Sequence, residues 1–321
     1  MDYQKAVEAK NLLSGQLLAS QHKIIRAFGL ESVLETSHNL MQPPAIAGIG
    51  IGREGLDDYH MRILLQKPLS EEEVKALMQV LEVEESDLRL VATDRIRALN
   101  GPVQTRQRPL PYGISIGHNQ VSAGTLGGVV YDEGKPFWLS NNNVFANGNA
   151  ATPGDAIWQP GSRDGGTEQD QVATLARFVP IDFSGSNEVD AALAEPLDNS
   201  LISTNFPPSN PVLAAITGIT VPTYGMEVVK YGRTTGFTKG KIVSLTTDLP
   251  VSFGQKQAYF VDQLEIESER GGTFSQPGDS GSLILQAGTG LVVGLLFAGD
   301  GNLTFANPIA QVLKALNVTF A

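Results

Sequence analysis

Ser275-Gln276-Pro277-Gly278-Asp279-Ser280-Gly281-Ser282-Leu283-Ile284 reads as a tight, glycine-flanked loop that hands over to an apolar strand. A serine in that setting can keep its hydroxyl exposed while neighbouring N–H groups point into a cleft. Acyl transfer asks for both: an accessible oxygen, and backbone donors aimed at the place where a carbonyl oxygen becomes negative. The N–H groups of Gly278 and Ser280 are the candidates for such an oxyanion hole. Gly, Asp and Ser also favour ordinary turns for local reasons, so the rest of the chain has to decide between the two readings.

The 321 residues are 41% hydrophobic, enough for a substantial core, and their 34 glycines and 18 prolines with 7% aromatics describe a turn-rich, mainly β chain. A net charge of −11 argues against nucleic acid or an anionic membrane surface as partner. The absence of cysteine excludes disulfides, thiolate metal sites and a cysteine nucleophile. No carboxylate or histidine cluster has metal-ligand spacing, and no cofactor is expected. Met1-Asp2-Tyr3-Gln4-Lys5 opens neither a leader peptide nor a membrane span, so a cytoplasmic location is the expectation.

Four regions follow from the pattern. Residues 1–42 hold a helical segment, with Ala6, Ala9, Leu13 and Leu17 near helical period over 3–28. That face packs on its own chain or makes a homo-oligomer contact. Residues 43–101 read as a small α/β unit with a pro-, regulatory or oligomerisation role: strands at 45–51 and 59–66, a helix opened by a Ser70/Glu73 capping box, and a strand over 88–99. Its glycines at 48, 50 and 52 lack the strand-turn-helix context of a dinucleotide site, and fit a strand under close packing better. Residues 102–111 form a linker carrying Arg106 and Arg108. Residues 112–321 contain many short apolar runs separated by turn residues, then a closing helix with Asn307 as N-cap and Pro308 at its first position.

Over residues 112–316 the chain resembles the trypsin-like serine peptidases of the chymotrypsin fold, in a bacterial branch similar to the plant narrow-leaf proteases. The resemblance is carried by Gly113-Ile114-Ser115-Ile116-Gly117-His118, Ala123-Gly124-Thr125-Leu126-Gly127, Leu139-Ser140-Asn141-Asn142-Asn143-Val144, Gln159-Pro160-Gly161, Asp164-Gly165-Gly166, Val189-Asp190-Ala191-Ala192, Gly232-Arg233-Thr234-Thr235-Gly236 and the Ser280 loop. It implies two six-stranded antiparallel β-barrels with the active site between them. Ser280 matches the nucleophile and Asp190 the carboxylate that orients the histidine.

The departure is Asn143, which stands where the resembling sequences carry the catalytic histidine. An amide cannot take the serine proton and return it to a leaving amine, although it can hydrogen-bond to Ser280 and Asp190. Of the four histidines, His22, His38 and His60 precede the linker. His118 lies in the barrel portion at a position with no base role in the family. The expectation is a serine endopeptidase scaffold that binds a peptide or protein substrate and hydrolyses almost none. Two origins fit: an inactivated protease, spared self-cleavage at Arg106 or Arg108, or a natural pseudoprotease serving as a peptide-binding or scaffolding protein. For the substrate pocket, the resemblance points to Phe274 as floor and Phe297, Ala298 and Gly299 as wall. These favour apolar side chains, with Asp279 and Asp300 read as solvated turn residues. Gly232 to Gly236 reads as a strand and turn, not an anion site.

Overall fold

The computed structural model describes residues 1–20, 46–55, 58–93, 97–98, 105–207, 215–269 and 272–320. His22, His38 and the first three residues of the linker, 102–104, lie outside them. The protein is mainly β, with a helix near each end. No described helix is long and apolar enough to cross a membrane.

Helix α1 (Tyr3–Ser20) is followed by β1 (Ile46–Arg53), β2 (Tyr59–Leu65), α2 (Glu71–Leu81), β3 (Leu88–Ala92) and β4 (Arg97–Ala98). The strand expected over 88–99 is thus two shorter pieces. Helix α2 begins at the expected box: Glu73 N–H donates to Ser70 Oγ at 3.2 Å, and Ser70 N–H to Glu73 Oε2 at 2.8 Å. Leu77 and Leu81, one turn apart, are its buried positions. The apolar face of α1, Ala6, Ala9 and Leu13, is buried on its own chain. Lys10 pins that helix, its Nζ lying 2.9 Å from both Asp248 and Asp262.

The first β body comprises β5 (Ser115–His118), β6 (Gly124–Thr125), β7 (Gly128–Asp132), β8 (Lys135–Ser140), the short α3 (Asn142–Phe145), β9 (Ala156–Trp158), β10 (Gln171–Phe178), β11 (Ser186–Asn187) and β12 (Ala192–Pro196). All but β11 pair in the order β6-β5-β9-β10-β12-β8-β7. The second body comprises β13 (Gly218–Ile219), β14 (Glu227–Gly232), β15 (Gly236–Phe253), β16 (Lys256–Ser268), β17 (Leu283–Gln286), β18 (Leu291–Gly299), β19 (Leu303–Pro308) and α4 (Ile309–Leu316). Strands β16, β19, β18, β17, β14 and β15 pair in sequence, and β15 pairs back to β16, closing a six-stranded ring. The first body's path stays open.

The α/β unit extends this ring's sheet. Strand β1 pairs antiparallel with β15, Ile49 opposite Asp248, and β2 and β3 continue outward. The glycine-alternating strand has the reason expected of it. A Cβ on Gly50 would come within 2.5 Å of Thr247 Oγ1 and 2.7 Å of Ser244 Oγ, both on β15.

One core cluster runs through both bodies, joining Ile116, Trp138, Leu139 and Leu193 to Leu283 and Leu295. Helix α4 closes it with Ile309, Val312, Leu313 and Leu316, the i, i+3, i+4, i+7 stripe of a one-faced helix. Asn307 does not cap it. The helix starts at Ile309, and Pro308, at φ −54° and ψ 127°, is extended. The proline ring disfavours helical backbone at the residue before it. Asn307 therefore stays within β19, one residue before its end, with a buried side chain whose Oδ1 accepts the Asp190 N–H.

Candidate active site

The Ser280 loop is fixed from three sides. Gly278 (φ 101°) and Gly281 (φ 95°) have left-handed backbone that favours glycine, and a Cβ on Gly281 would strike Ser140 Oγ and Thr125 O. From the first body, Thr125 N–H donates to Ser280 O at 2.8 Å and Thr125 Oγ1 to Gly278 O at 2.7 Å. From β18, Leu296 O accepts Gly281 N–H at 2.9 Å. Gly278 N–H donates to no described acceptor.

Asp279, expected in solvent, is instead the buried anchor of this loop, 0% exposed. Its carboxylate accepts the N–H groups of Thr234 (2.9 Å), Thr235 (3.2 Å) and Gln276 (2.9 Å) and the Thr235 hydroxyl (2.7 Å). Lys230 Nζ, also fully buried, lies 3.4 Å from Asp279 Oδ2. Burial pulls the Lys230 pKa down, and Asp279 opposes it. The stretch from Gly232 to Gly236 is the strand and turn expected, and its threonines are what hold Asp279. Its arginine does hold an anion, the protein's own: Arg233 forks onto Asp164 of the first body, Nε to Oδ2 and Nη2 to Oδ1 at 2.5 Å each.

Asn143 sits in α3, directly after β8, and its loop is drawn against the Ser280 loop. A Cβ on Gly124 would stand 2.8 Å from Val144 Cγ1 and 3.1 Å from Ser280 O, so the absence of that atom lets the two approach. Asp190 lies beneath, 0% exposed, more deeply buried than a carboxylate between small residues suggests from sequence. Asn142 N–H donates to Asp190 Oδ1 at 2.6 Å, and Asn143 N–H also donates to this carboxylate. Asp190 Oδ2 has no hydrogen-bond partner among the described residues. Burial raises the Asp190 pKa to about 7, against the two backbone donors.

The backbone around Asp190 is held by residues the sequence did not single out for it. Asp190 N–H donates to Asn307 Oδ1 at 3.0 Å, Asn141 Nδ2 donates to Asp190 O at 2.7 Å, and Asn307 Nδ2 donates to Gln263 Oε1 at 2.6 Å. An isolated asparagine at a strand end gives no signal for such a role. The side-chain bridge that Asn143 could form to Asp190 or Ser280 is not made: its Oδ1 is buried without a partner among the described residues, and it reaches Asp190 through its backbone alone.

Ser280 itself differs from expectation. It is 0% exposed, and its hydroxyl donates to Phe297 O at 3.3 Å, turned onto β18 instead of into open solvent. His118 offers no substitute base. Its Nδ1 accepts Gln120 N–H at 3.1 Å, which leaves the proton on Nε2, 3.2 Å from Asp155 Oδ2. Both ring nitrogens are engaged at the strand end. His60 belongs to the α/β unit, where burial lowers its pKa.

Phe274 is buried among Ile266, Leu296 and Ile284, with Lys230 Nζ 5.8 Å from its ring centroid. Phe297, Ala298 and Gly299 are also buried, Phe297 lying against Phe260 at a centroid distance of 4.7 Å. A cavity of about 600 Å³ adjoins Asn143, lined by Gln120, Ser122, Asn147, Phe253, Gln255 and Lys256 among others, with no carboxylate.

No family model and no curated protein matches the chain. Solved structures do match at low identity. Protease A of Thermobifida fusca aligns at 17% identity and a TM-score of 0.47, over 65% of this chain and 96% of that one. The chymotrypsin of Cellulomonas bogoriensis aligns at 18% and 0.47, over 66% and 97%. The Nocardiopsis protease NAPase aligns at 17% and 0.45, over 65% and 97%.

Proposed function

We propose that the chain is a trypsin-like serine peptidase scaffold, with Ser280 as nucleophile, Asp190 as orienting carboxylate and the Gly278 and Ser280 N–H groups as oxyanion hole. Asn143 deprives it of a general base, so it binds peptide and hydrolyses almost none. The observation that carries this reading is the buried, unpartnered Asp190 Oδ2. A buried acceptor without a donor is costly, and an imidazole N–H at position 143 is the donor this oxygen lacks. In a working site the base takes the Ser280 proton as Oγ bonds to the carbonyl carbon, then gives it to the departing amine. Asn143 does neither. Losing the base from such a unit removes roughly 10⁶ in kcat.

A natural pseudoprotease serving as a peptide-binding or scaffolding protein is the second reading, favoured by the carboxylate-free, amide-rich cavity beside Asn143. The wall at Phe297 and Ala298 favours an apolar side chain. The test is Ser280→Ala: peptidase activity of the purified chain is expected to be negligible and unchanged by this substitution. A measurable rate abolished by it reveals a base other than position 143 and overturns the proposal.

Asp190 also predicts a pH dependence. Its pKa rises from an ordinary 3.8 unfolded to about 7 folded. Between these values the native form holds a proton that the unfolded chain has lost, so stability falls as pH rises through that window. Thermal melts across it should show the parent losing stability relative to Asp190→Asn. Parallel curves refute the assignment.

A further inference from the structure

The tip of the β15–β16 hairpin shares a cavity with Asn143. Gly254 (φ 61°) and Gln255 make its two-residue turn, and the ladder sets Lys256 opposite Phe253. All of these residues line the space of about 600 Å³ beside Asn143, as does Phe183. A run of packed rings fixes the tip relative to the nucleophile. Lys256 Nζ stands 4.9 Å from the Phe183 ring centroid, Phe183 meets Phe253 edge-on at 6.1 Å, and Phe253 lies 6.1 Å from Phe260. Phe260 in turn lies 4.7 Å from Phe297, whose carbonyl accepts the Ser280 hydroxyl. The Lys256 charge is thereby held at one wall of the cavity, over an aromatic face that attracts it.

No carboxylate answers that charge. Lys256 makes no ion pair among the described residues, and no acidic side chain lines the cavity. The groups around it have donors to spare: the side-chain amides of Gln120, Asn143, Asn147 and Gln255 make no hydrogen bond among the described residues. Ser122 Oγ, on the same lining, is buried without a partner there. A buried hydroxyl left unbonded is costly. A carboxylate, which only accepts, satisfies an ammonium, a hydroxyl and amide N–H groups together. The net charge of −11 repels anions at long range, but at physiological ionic strength that field is screened within about 8 Å, so the lining decides.

We propose that this cavity is a subsite for an acidic side chain, and that Lys256 makes the cleft select peptides carrying a glutamate or aspartate. The inference rests on the peptide-binding cleft proposed above and names its substrate class: an apolar side chain at the Phe297 and Ala298 wall, an acidic one beside Lys256. Lys256 sets specificity and takes no part in the chemistry at Ser280.

The test is fluorescence anisotropy with labelled hexapeptides, each carrying one leucine and a single glutamate stepped through the other positions, beside counterparts with glutamine instead. They are titrated with the full chain at about 0.15 M salt. At one position glutamate is expected to bind about threefold to tenfold more tightly than glutamine, between the effect of an exposed ion pair and that of a buried charged hydrogen bond. Lys256→Gln is expected to bring that ratio to about one, Lys256→Arg to keep it and Lys256→Glu to reverse it. A glutamate preference at no position, or one unchanged by Lys256→Gln, overturns the inference. So does binding of no peptide at about 1 mM. The same peptides on Asn143→His separate this result from the peptidase reading. If that variant labels at Ser280 with a phosphonate probe yet treats glutamate and glutamine peptides alike, the subsite falls and the peptidase reading stands. If it does not label while the parent keeps a preference that depends on Lys256, the peptidase reading falls and the subsite stands in a binding protein.

Discussion

Asn143→His is expected to raise the rate at which an active-site phosphonate labels Ser280 by several orders of magnitude, up to the roughly 10⁶ that separates a complete serine–base unit from one without its base. The size of the effect follows from how much of the site is in place. The loop glycines hold Ser280, Gly278 N–H is uncommitted among the described residues, and Asp190 Oδ1 is already occupied by backbone donors. Asp190 Oδ2 has no partner among the described residues. An imidazole that donates to it stabilises the ionised carboxylate, which draws the Asp190 pKa down from about 7 and fixes the tautomer whose other nitrogen faces the serine. The ring is larger than the amide it replaces, and the adjoining cavity of about 600 Å³ gives it room. The measurement is the second-order labelling rate of the parent and the histidine variant, each against its Ser280→Ala control. A correctly folded histidine variant that labels no faster than the parent shows that the cleft has departed from catalytic geometry beyond position 143, and the binding reading then prevails.

The features legible in the sequence were those set by local demands. Gly278 and Gly281 announce the tight turn around Ser280, where both take left-handed backbone, Ser70 and Glu73 announce the start of α2, and alternating glycines announce a strand pressed against another. What escaped depends on partners distant in the chain. Asp279 looks like any turn aspartate until Lys230, Thr234 and Thr235 are brought around it, 44 to 49 residues away in sequence, as 279 minus 235 and 279 minus 230 give. Asn307 looks like a helix cap because Pro308 follows it, and only the pairing of β19 with β16 shows where its amide goes. The union of β1 with β15 joins residues 49 and 248. No periodicity within either strand encodes it. Likewise, the burial of Ser280 depends on neighbours the loop's own sequence does not name.

Asp279→Ala is expected to be among the most destabilising single changes in the second body, at about 3–5 kcal/mol, the usual penalty for removing one member of a buried ion pair. It strips the partner from a fully buried lysine ammonium, and it also leaves three backbone N–H groups and the Thr235 hydroxyl without their acceptor. Lys230 retains bonds to the Thr235 hydroxyl and to Gly236 O, which soften the loss without neutralising the charge. The distinguishing experiment is a double-mutant cycle with Lys230→Met in urea. If the pair is the source of the cost, the double variant loses clearly less than the sum of the two singles, because the second change removes the charge that the first left stranded. Strict additivity, or a loss below about 1 kcal/mol for Asp279→Ala, overturns the anchoring role. The cycle also bears on the site. Asp279 separates Gly278 from Ser280, so on an Asn143→His background the slackened loop should label more slowly even under conditions where Asp279→Ala remains folded. An unchanged labelling rate there confines Asp279 to stability alone.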